Sequence, residues 1–129
     1  MYLVDSDWFI DYLEDIPAAV ALLEPLVSAG VRFSIITYVE AFEGTLKSDD
    51  PVTAQDKLHA GMRQFEVIRV SDEVARRCAW IRYDLRSRAR RIRDRAMVLL
   101  IAATAIEYDL TLVTRNVDDY GDIPGLRLY

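Results

Sequence analysis

Residues 96–119 read AMVLLIAATAIEYDLTLVTRNVDD, and the order of segments in this stretch decides the fold class. Ala96–Ile106 is almost entirely apolar but too short to cross a bilayer, which takes about 20 apolar residues, so it predicts a core helix. Because Asp is a common helix-start residue, we place this helix at Asp94–Glu107. Leu110–Val113 then predicts a buried strand that ends at a run of polar residues.

The same alternation of short apolar runs and helical patterns extends outward along the chain. Three further strands and a short fifth one are predicted at Tyr2–Val4, Phe33–Ile36, Phe65–Val70 and Leu126–Leu128. Helix-start signals or helical spacing occur near Trp8, Pro17, Thr37, Pro51 and Ser71. Strands separated by helices form βαβ units, which predicts an α/β fold with a mostly parallel sheet of four to five strands and helices on both faces. The length fits one domain, residues 1–129.

Composition and charge narrow the function classes. The net charge of −5 argues against a general nucleic-acid coat. Arginine is nevertheless dense in one segment, at Arg76, Arg77, Arg82, Arg86, Arg88, Arg90, Arg91, Arg93 and Arg95. This segment is interpreted either as a basic rim for a phosphate chain or as a solvated helix face that pairs with nearby acids.

The single cysteine and the first residues bear on the compartment. Cys78 has no partner for an internal disulfide, which agrees with a reducing compartment. Met1 to Asp5 show neither a basic segment nor a cleavage signal. We therefore expect a cytoplasmic protein with no membrane association.

Carboxylates follow several of the predicted strands. Asp5 follows the first strand, Glu40 lies just beyond the second, and Asp118 and Asp119 follow the fourth. Since parallel strands end at one edge of a sheet, these groups are expected to converge there. Converging carboxylates repel one another and need a compensating cation, and oxygen ligands suit Mg²⁺. The pattern predicts a divalent ion that activates water against a phosphate.

Each of these residues also has a purely structural interpretation. Glu40 is the last member of a capping box that begins at Thr37. Asp5 fits a helix N-cap, and Asp118 and Asp119 fit turn positions. We interpret His59, the single histidine, as an incidental surface residue.

A different enzyme class, the haloacid dehalogenase phosphatases, uses an Asp-x-Asp motif after a strand. Asp5-Ser6-Asp7 fits that motif, but such enzymes also need a later lysine. The only lysines, Lys47 and Lys57, lie early in the chain, which disfavours this alternative.

Four stretches together carry a family resemblance. They are Tyr2–Trp8, Ile36–Gly44, Leu100–Ala105 continuing through Leu112–Asn116, and Asp119-Tyr120 with Ile123–Leu126. With them the chain resembles the PIN-domain ribonucleases, in particular the VapC toxins of toxin–antitoxin pairs. The resemblance implies a three-layer α/β/α fold and an endoribonuclease that depends on Mg²⁺ or Mn²⁺. It further implies an RNA substrate, a homodimer and a VapB-like antitoxin whose tail blocks the site.

The resemblance also implies roles for particular residues. Asp5, Glu40 and Asp119 are the expected catalytic and metal-binding carboxylates, with Asn116 beside them as a further ligand. Whether one ion or two bind stays open. The residues expected to hold the RNA strand are Thr114, Arg115, Arg93 and Arg95.

Position 98 departs from the family pattern. The pattern has an aspartate three residues before Ile101, where this chain has Val98, which cannot bind a metal. Asp94, one helical turn earlier, either substitutes for it or serves as the helix N-cap. Two hypotheses follow: a weakened or inactive ribonuclease, or a catalytically dead PIN-like module that still dimerises and binds its antitoxin.

Overall fold

The computed structural model describes all of residues 1–129 and contains one four-stranded sheet. Its strands are β1 (Tyr2–Val4), β2 (Val31–Ser34), β3 (Glu66–Ile68) and β4 (Thr111–Val113). All of them are parallel, in the order β3-β2-β1-β4. The first strand therefore lies in the middle of the sheet, between β2 and β4.

Seven helices connect and flank these strands. They are α1 (Ser6–Leu13), α2 (Pro17–Val27), α3 (Ile35–Leu46), α4 (Pro51–Met62), α5 (Asp72–Ser87), α6 (Ala96–Glu107) and α7 (Val117–Tyr120). Local signals explain several of the starts. Asp50 and Ser71 accept hydrogen bonds from the first-turn amides of α4 and α5, and Pro17 opens α2.

The core lies on both faces of the sheet, because successive strand residues point to opposite sides. Leu3 and Leu112 pair in register and join one cluster with residues of α5, α6 and α7. Val4 and Val113, the next pair, join a second cluster with residues of α1 to α4. The predicted three-layer α/β/α architecture and the parallel sheet are confirmed.

The start of α3 differs from the prediction. The predicted strand Phe33–Ile36 ends at Ser34, whose hydroxyl accepts a hydrogen bond from the Ile36 amide and caps the helix. The N-cap is therefore Ser34, three residues before Thr37, the first residue of the proposed capping box. Thr37 is buried inside its first turn, with no hydrogen-bond partner for its hydroxyl. Glu40 consequently has no capping role.

The start of α6 also differs. Asp94 is exposed and has a left-handed backbone, with φ of 61°, so it lies outside the helix. The N-cap is Arg95, which makes no side-chain cap hydrogen bond, and the helix begins at Ala96. Asp94 is therefore not the N-cap. Because it lies outside the helix, it does not share a helical face with Val98, as the prediction of a substitute ligand required.

The C-terminal segment contains less strand and more helix than predicted. Leu126–Leu128 is not a full strand, because only Leu128 bridges to Leu112, in parallel. Asp118 and Asp119 lie in the first turn of α7 rather than in an irregular turn. No helix has the length and apolar character needed to span a membrane.

Candidate functional site

The candidate site lies where the chain reverses its direction of travel across the sheet. The chain proceeds from β1 to β2 and β3, then returns to place β4 on the other side of β1. In parallel sheets a crevice opens at such a point, outside the carboxyl ends of the strands. Asp5 follows β1 directly, and Thr114 follows β4.

Asp5 is held at the centre of this edge. Its backbone amide donates to the Val113 carbonyl at 2.9 Å, which continues the pairing of β1 with β4. One carboxylate oxygen accepts from the Ser6 amide at 2.9 Å, and the other accepts from the Thr114 hydroxyl at 2.7 Å. The N-cap interpretation of Asp5 is thus correct, and it is compatible with a functional role.

Burial dominates the electrostatics of this carboxyl. The side chain is buried, and desolvation raises the pKa of Asp5 above its ordinary value. Hydrogen bonds from Thr114 and Ser6 lower the pKa, while the negative charge of Asp7 raises it. A buried carboxylate with a raised pKa is stabilised by any cation that approaches it.

Glu40 approaches the same region from α3. Burial raises its pKa first, a hydrogen bond with the Ser6 side chain lowers it, and the charges of Asp5 and Asp7 raise it further. Glu40 and Asp5 are therefore electrostatic neighbours, although they belong to different elements. Ser6 affects both of them, because its amide donates to Asp5 and its side chain lowers the pKa of Glu40.

These carboxylates lack a basic partner. None of the ten ion pairs of the structure includes Asp5, Asp7 or Glu40. The donor set is hard, anionic and uncompensated, and so has the chemistry that suits a divalent cation. The set is incomplete, because no three acidic, histidine or cysteine side chains stand close enough together to hold a metal ion.

Asp119 is placed differently from the other two predicted carboxylates. One of its oxygens accepts from the Asn116 side-chain amide at 2.7 Å, and the other accepts from Arg91 at 3.2 Å. Asn116 and Asp119 therefore stand together, as the resemblance implied. Arg91, unlike its neighbours Arg93 and Arg95, was not among the predicted site residues.

Tyr120 is a second residue that the sequence did not single out. Its ring is almost fully buried, and burial raises the pKa of its hydroxyl well above the ordinary value. The negative charges of Asp5, Glu40 and Asp119 raise it further. The Tyr120 hydroxyl is therefore within electrostatic reach of all three predicted carboxylates.

Arg95 was predicted to hold RNA, but the structure gives it a different position. Its side chain is 3% exposed, and it makes two hydrogen bonds to the Asp122 carboxylate, at 2.6 and 3.1 Å. It also donates to the backbone carbonyls of Asp119 and Arg91, at 2.6 and 2.5 Å. Both terminal nitrogens are committed, so Arg95 fastens α7 to the start of α6 and is not free for a phosphate.

Of the other residues predicted to contact RNA, two already have partners within the protein and one does not. The Thr114 hydroxyl is occupied by Asp5 and by the Asn116 amide. Arg115 pairs with Asp11 and lies 3.8 Å above the Trp8 ring, so it ties the loop after β4 to α1. Arg93 is exposed and pairs with no acidic side chain. Of the predicted set, Arg93 alone has a free guanidinium.

Val98 lies in the first turn of α6, half-buried against the core cluster that contains Leu99 and Leu112. An apolar side chain fits this position as it stands. The N-terminus of α6 has no side-chain cap. A carboxylate at the third helical position would interact favourably with the positive end of the helix dipole. Aspartate at this position is therefore compatible with the fold.

His59 lies away from the carboxylates. It is half-buried, its Nε2 is 2.8 Å from the Tyr38 hydroxyl, and its ring stacks on Phe42. It joins α3 to α4, so it is a packing residue rather than an incidental surface one. No metal or catalytic role follows from its contacts.

Comparison with known proteins was made on sequence and on structure. The sequence matches the family model described as PIN domain over residues 2–124. Comparison with curated proteins returns no match. These residues include every predicted site position and all eleven secondary-structure elements.

Several solved structures share the fold. The VapBC2 complex of Rickettsia felis, bound to promoter DNA, matches at 26% identity and a TM-score of 0.87, covering 99% of this chain and 96% of that chain. A toxin–antitoxin complex of Klebsiella pneumoniae matches at 26% and 0.73, covering 98% and 95%. DNA-bound VapBC of Salmonella typhimurium matches at 23% and 0.88, covering 99% and 96%, and this likeness concerns the fold alone.

Proposed function

Because this chain belongs to the PIN-domain family and is of the VapC type, we propose that it is a metal-dependent endoribonuclease toxin. Members of the family are typically nucleases. The observation that carries the proposal is the pair Asp5 and Glu40. Burial raises the pKa of both carboxyls, the charge of Asp5 raises that of Glu40 further, and neither has a basic partner. The proposed reaction is hydrolysis of an RNA phosphodiester bond.

The proposed cofactor is Mg²⁺ or Mn²⁺, held by Asp5 with Glu40, Asp119 and Asn116 in support. When bound, such an ion supplies a water of lowered pKa and neutralises charge on the phosphate. Ser6 and Thr114 orient the Asp5 carboxylate through their hydrogen bonds. Each Asp5 oxygen retains a second lone pair for a further ligand.

The proposed partners follow from the same family membership. The structural relatives are VapBC complexes, which supports a VapB-like antitoxin for this chain. We also propose that the protein is a homodimer and that it is located in the cytoplasm. Exposed Arg93 is proposed to contact the RNA backbone, since it pairs with no acid.

A second candidate function is a PIN-like module that binds its antitoxin without catalysis. Val98 favours it, because the site lacks one carboxylate of the family pattern and no three acids share a metal-binding geometry. The phosphatase alternative gains no support, because Lys47 and Lys57 pair with Glu43 and Glu14 rather than with Asp5.

Cleavage of RNA by the Val98→Asp variant separates the two candidates. The added carboxylate should raise the cleavage rate by about 10- to 100-fold in Mg²⁺ or Mn²⁺, by analogy with other changes around metal ligands. The measurement is cleavage of a labelled single-stranded RNA with each ion and with a chelator. Asp5→Asn in the same background should abolish the gain.

The matched control is Val98→Asn, which has the shape of aspartate without its charge. It should cleave no faster than the original chain. If Val98→Asp cleaves no RNA with either ion while remaining folded, the ribonuclease proposal is wrong. Retained binding of the antitoxin by that inactive protein would then support the second candidate.

A further inference from the structure

Arg91 makes an ion pair within the candidate site itself. Its Nη2 donates to one Asp119 oxygen at 3.2 Å, and its Nη1 donates to the Arg93 carbonyl. Asn116 occupies the other Asp119 oxygen. Asp119 therefore already has a cation in contact with it, supplied by the protein's own chain.

The backbones on both sides of this pair are fixed, but the two side chains are not. Buried Arg95 donates to the carbonyls of both Arg91 and Asp119, so it holds these two residues next to each other. The Arg91 and Asp119 side chains are 54% and 34% exposed, respectively. A single hydrogen bond between partly exposed groups is weak and easily exchanged.

Asp119 is the one carboxylate of the three predicted metal ligands that has a basic partner. Asp5 and Glu40 have no basic partner, whereas Asp119 has Arg91. A guanidinium and a divalent ion both bind carboxylate oxygens, and these two positive groups repel each other when they are close to the same carboxylate. An ion that binds at Asp119 therefore requires Arg91 to move away from this carboxylate.

From this geometry we propose that Arg91 is an internal competitor of the metal ion. The guanidinium occupies Asp119 in the metal-free protein and is displaced when an ion binds. Arg91 is thus a positioning residue that sets the affinity of the site for its ion. The inference rests on the proposed function, because it assumes that Asp119 is a metal ligand.

Manganese binding to the protein without RNA tests the inference. Arg91→Gln should bind Mn²⁺ about two- to fivefold more tightly than the original chain, which is the range expected on removing an exposed ion pair. Isothermal titration calorimetry measures the affinity, and the electron paramagnetic resonance signal of free Mn²⁺ checks it. Arg91→Lys should remain close to the original chain.

Arg90→Gln is the matched control. Arg90 neighbours Arg91, lines a cleft beside α7 with Asp118 and Asp122, and pairs with no acid. The Arg90→Gln substitution removes the same charge as Arg91→Gln but no contact with Asp119. It therefore reports the general effect on Mn²⁺ affinity of one fewer positive charge. In an Asp119→Asn background, Arg91→Gln should give no additional tightening.

The outcomes separate this inference from the proposed function. If the original chain binds Mn²⁺ and Arg91→Gln binds it no more tightly than Arg90→Gln, internal competition is refuted and the metal site stands. Weaker binding by Arg91→Gln would also refute it. If neither the original chain nor Val98→Asp binds Mn²⁺, the metal site of the proposed function fails, and the competition fails with it.

Discussion

At the scale of single residues, Glu40 is a candidate site residue whose charge lowers the stability of the fold. Its charge lies partly buried near Asp5 and Asp7, without a basic partner. Burial and these neighbours raise its pKa, so the folded protein retains the proton at a higher pH than the unfolded chain does. Charged Glu40 therefore disfavours the folded state, a cost that the proposed metal-binding role of Glu40 would explain.

Glu40→Gln should make the metal-free protein more stable at pH 7, by about 0.5–1 kcal/mol, because the charge that destabilises the fold is removed. The gain should shrink as the pH falls through the raised pKa of Glu40 and vanish below the ordinary glutamate pKa of 4.5, where Glu40 is neutral in both states. Urea unfolding in a chelator at several pH values measures it.

Glu43→Gln, one turn further along α3, is the matched control. Glu43 is exposed, and its only ion pair is a 4.0 Å contact with Lys47. Its replacement should change the unfolding free energy very little. A loss of stability in Glu40→Gln at pH 7 would contradict the idea that Glu40 is electrostatically strained.

At the scale of secondary-structure elements, α7 depends on one buried guanidinium. This helix has only four residues, too few to be stable alone. Arg95 anchors it through the Asp122 carboxylate and the Asp119 carbonyl, although the Arg95 Nε itself has no partner. The position of Asp119 at the site thus depends on a residue that lies outside it.

Asp122→Asn should lower the unfolding free energy at pH 7 by about 2 kcal/mol, because it leaves the buried Arg95 charge without its partner. The Arg95 hydrogen bond lowers the pKa of Asp122, so this stabilisation is present above the ordinary value of 3.8. It is lost as the pH falls below that value, where the folded carboxyl takes up a proton.

Denaturant unfolding at neutral and acid pH measures this difference, with Asp118→Asn as its control. Asp118 is exposed in α7 and belongs to no ion pair, so its replacement should have little effect. Equal destabilisation by both variants would show that Arg95 and Asp122 do not anchor α7.

At the scale of the whole molecule, one exposed surface suggests where the proposed homodimer would form. Trp80 and Tyr83, each 69% exposed, stand edge to face on the outer side of α5, with ring centroids 6.0 Å apart. Asp72 begins this helix and Arg86 lies in its last turn, and neither has an ion pair. Two antiparallel copies of α5 would bring these unlike charges together around the aromatic residues.

Trp80→Ser should therefore weaken the proposed homodimer and shift the protein towards monomer, because it removes a large aromatic contact from the interface. Sedimentation velocity over a range of concentrations measures this shift. Val52→Ser is the control, since Val52 is equally exposed, at 69%, but lies on α4. An unchanged dimer in Trp80→Ser would place the interface elsewhere.

Local patterns in the sequence determined the element order, the parallel three-layer architecture and several helix starts. Ser71 and Asp50 lie within three residues of the amides that they cap, so the relevant interaction is visible in a short window. Apolar alternation and the placement of Asp5 after a strand are equally local. The positions after the strands also made Glu40, Asp118 and Asp119 candidates. The family resemblance then selected Glu40 and Asp119 and added Asn116.

The tertiary structure decided which charged side chains meet, and therefore which are free. Asp5 receives a hydrogen bond from Thr114, 109 positions away, because β1 and β4 become neighbours only when the sheet forms. For the same reason Arg95, which looks like a surface arginine in the sequence, is buried on Asp122. Arg91 reaches Asp119 across 28 positions. Such pairs depend on strand order and on side-chain burial, and no short window of sequence contains either.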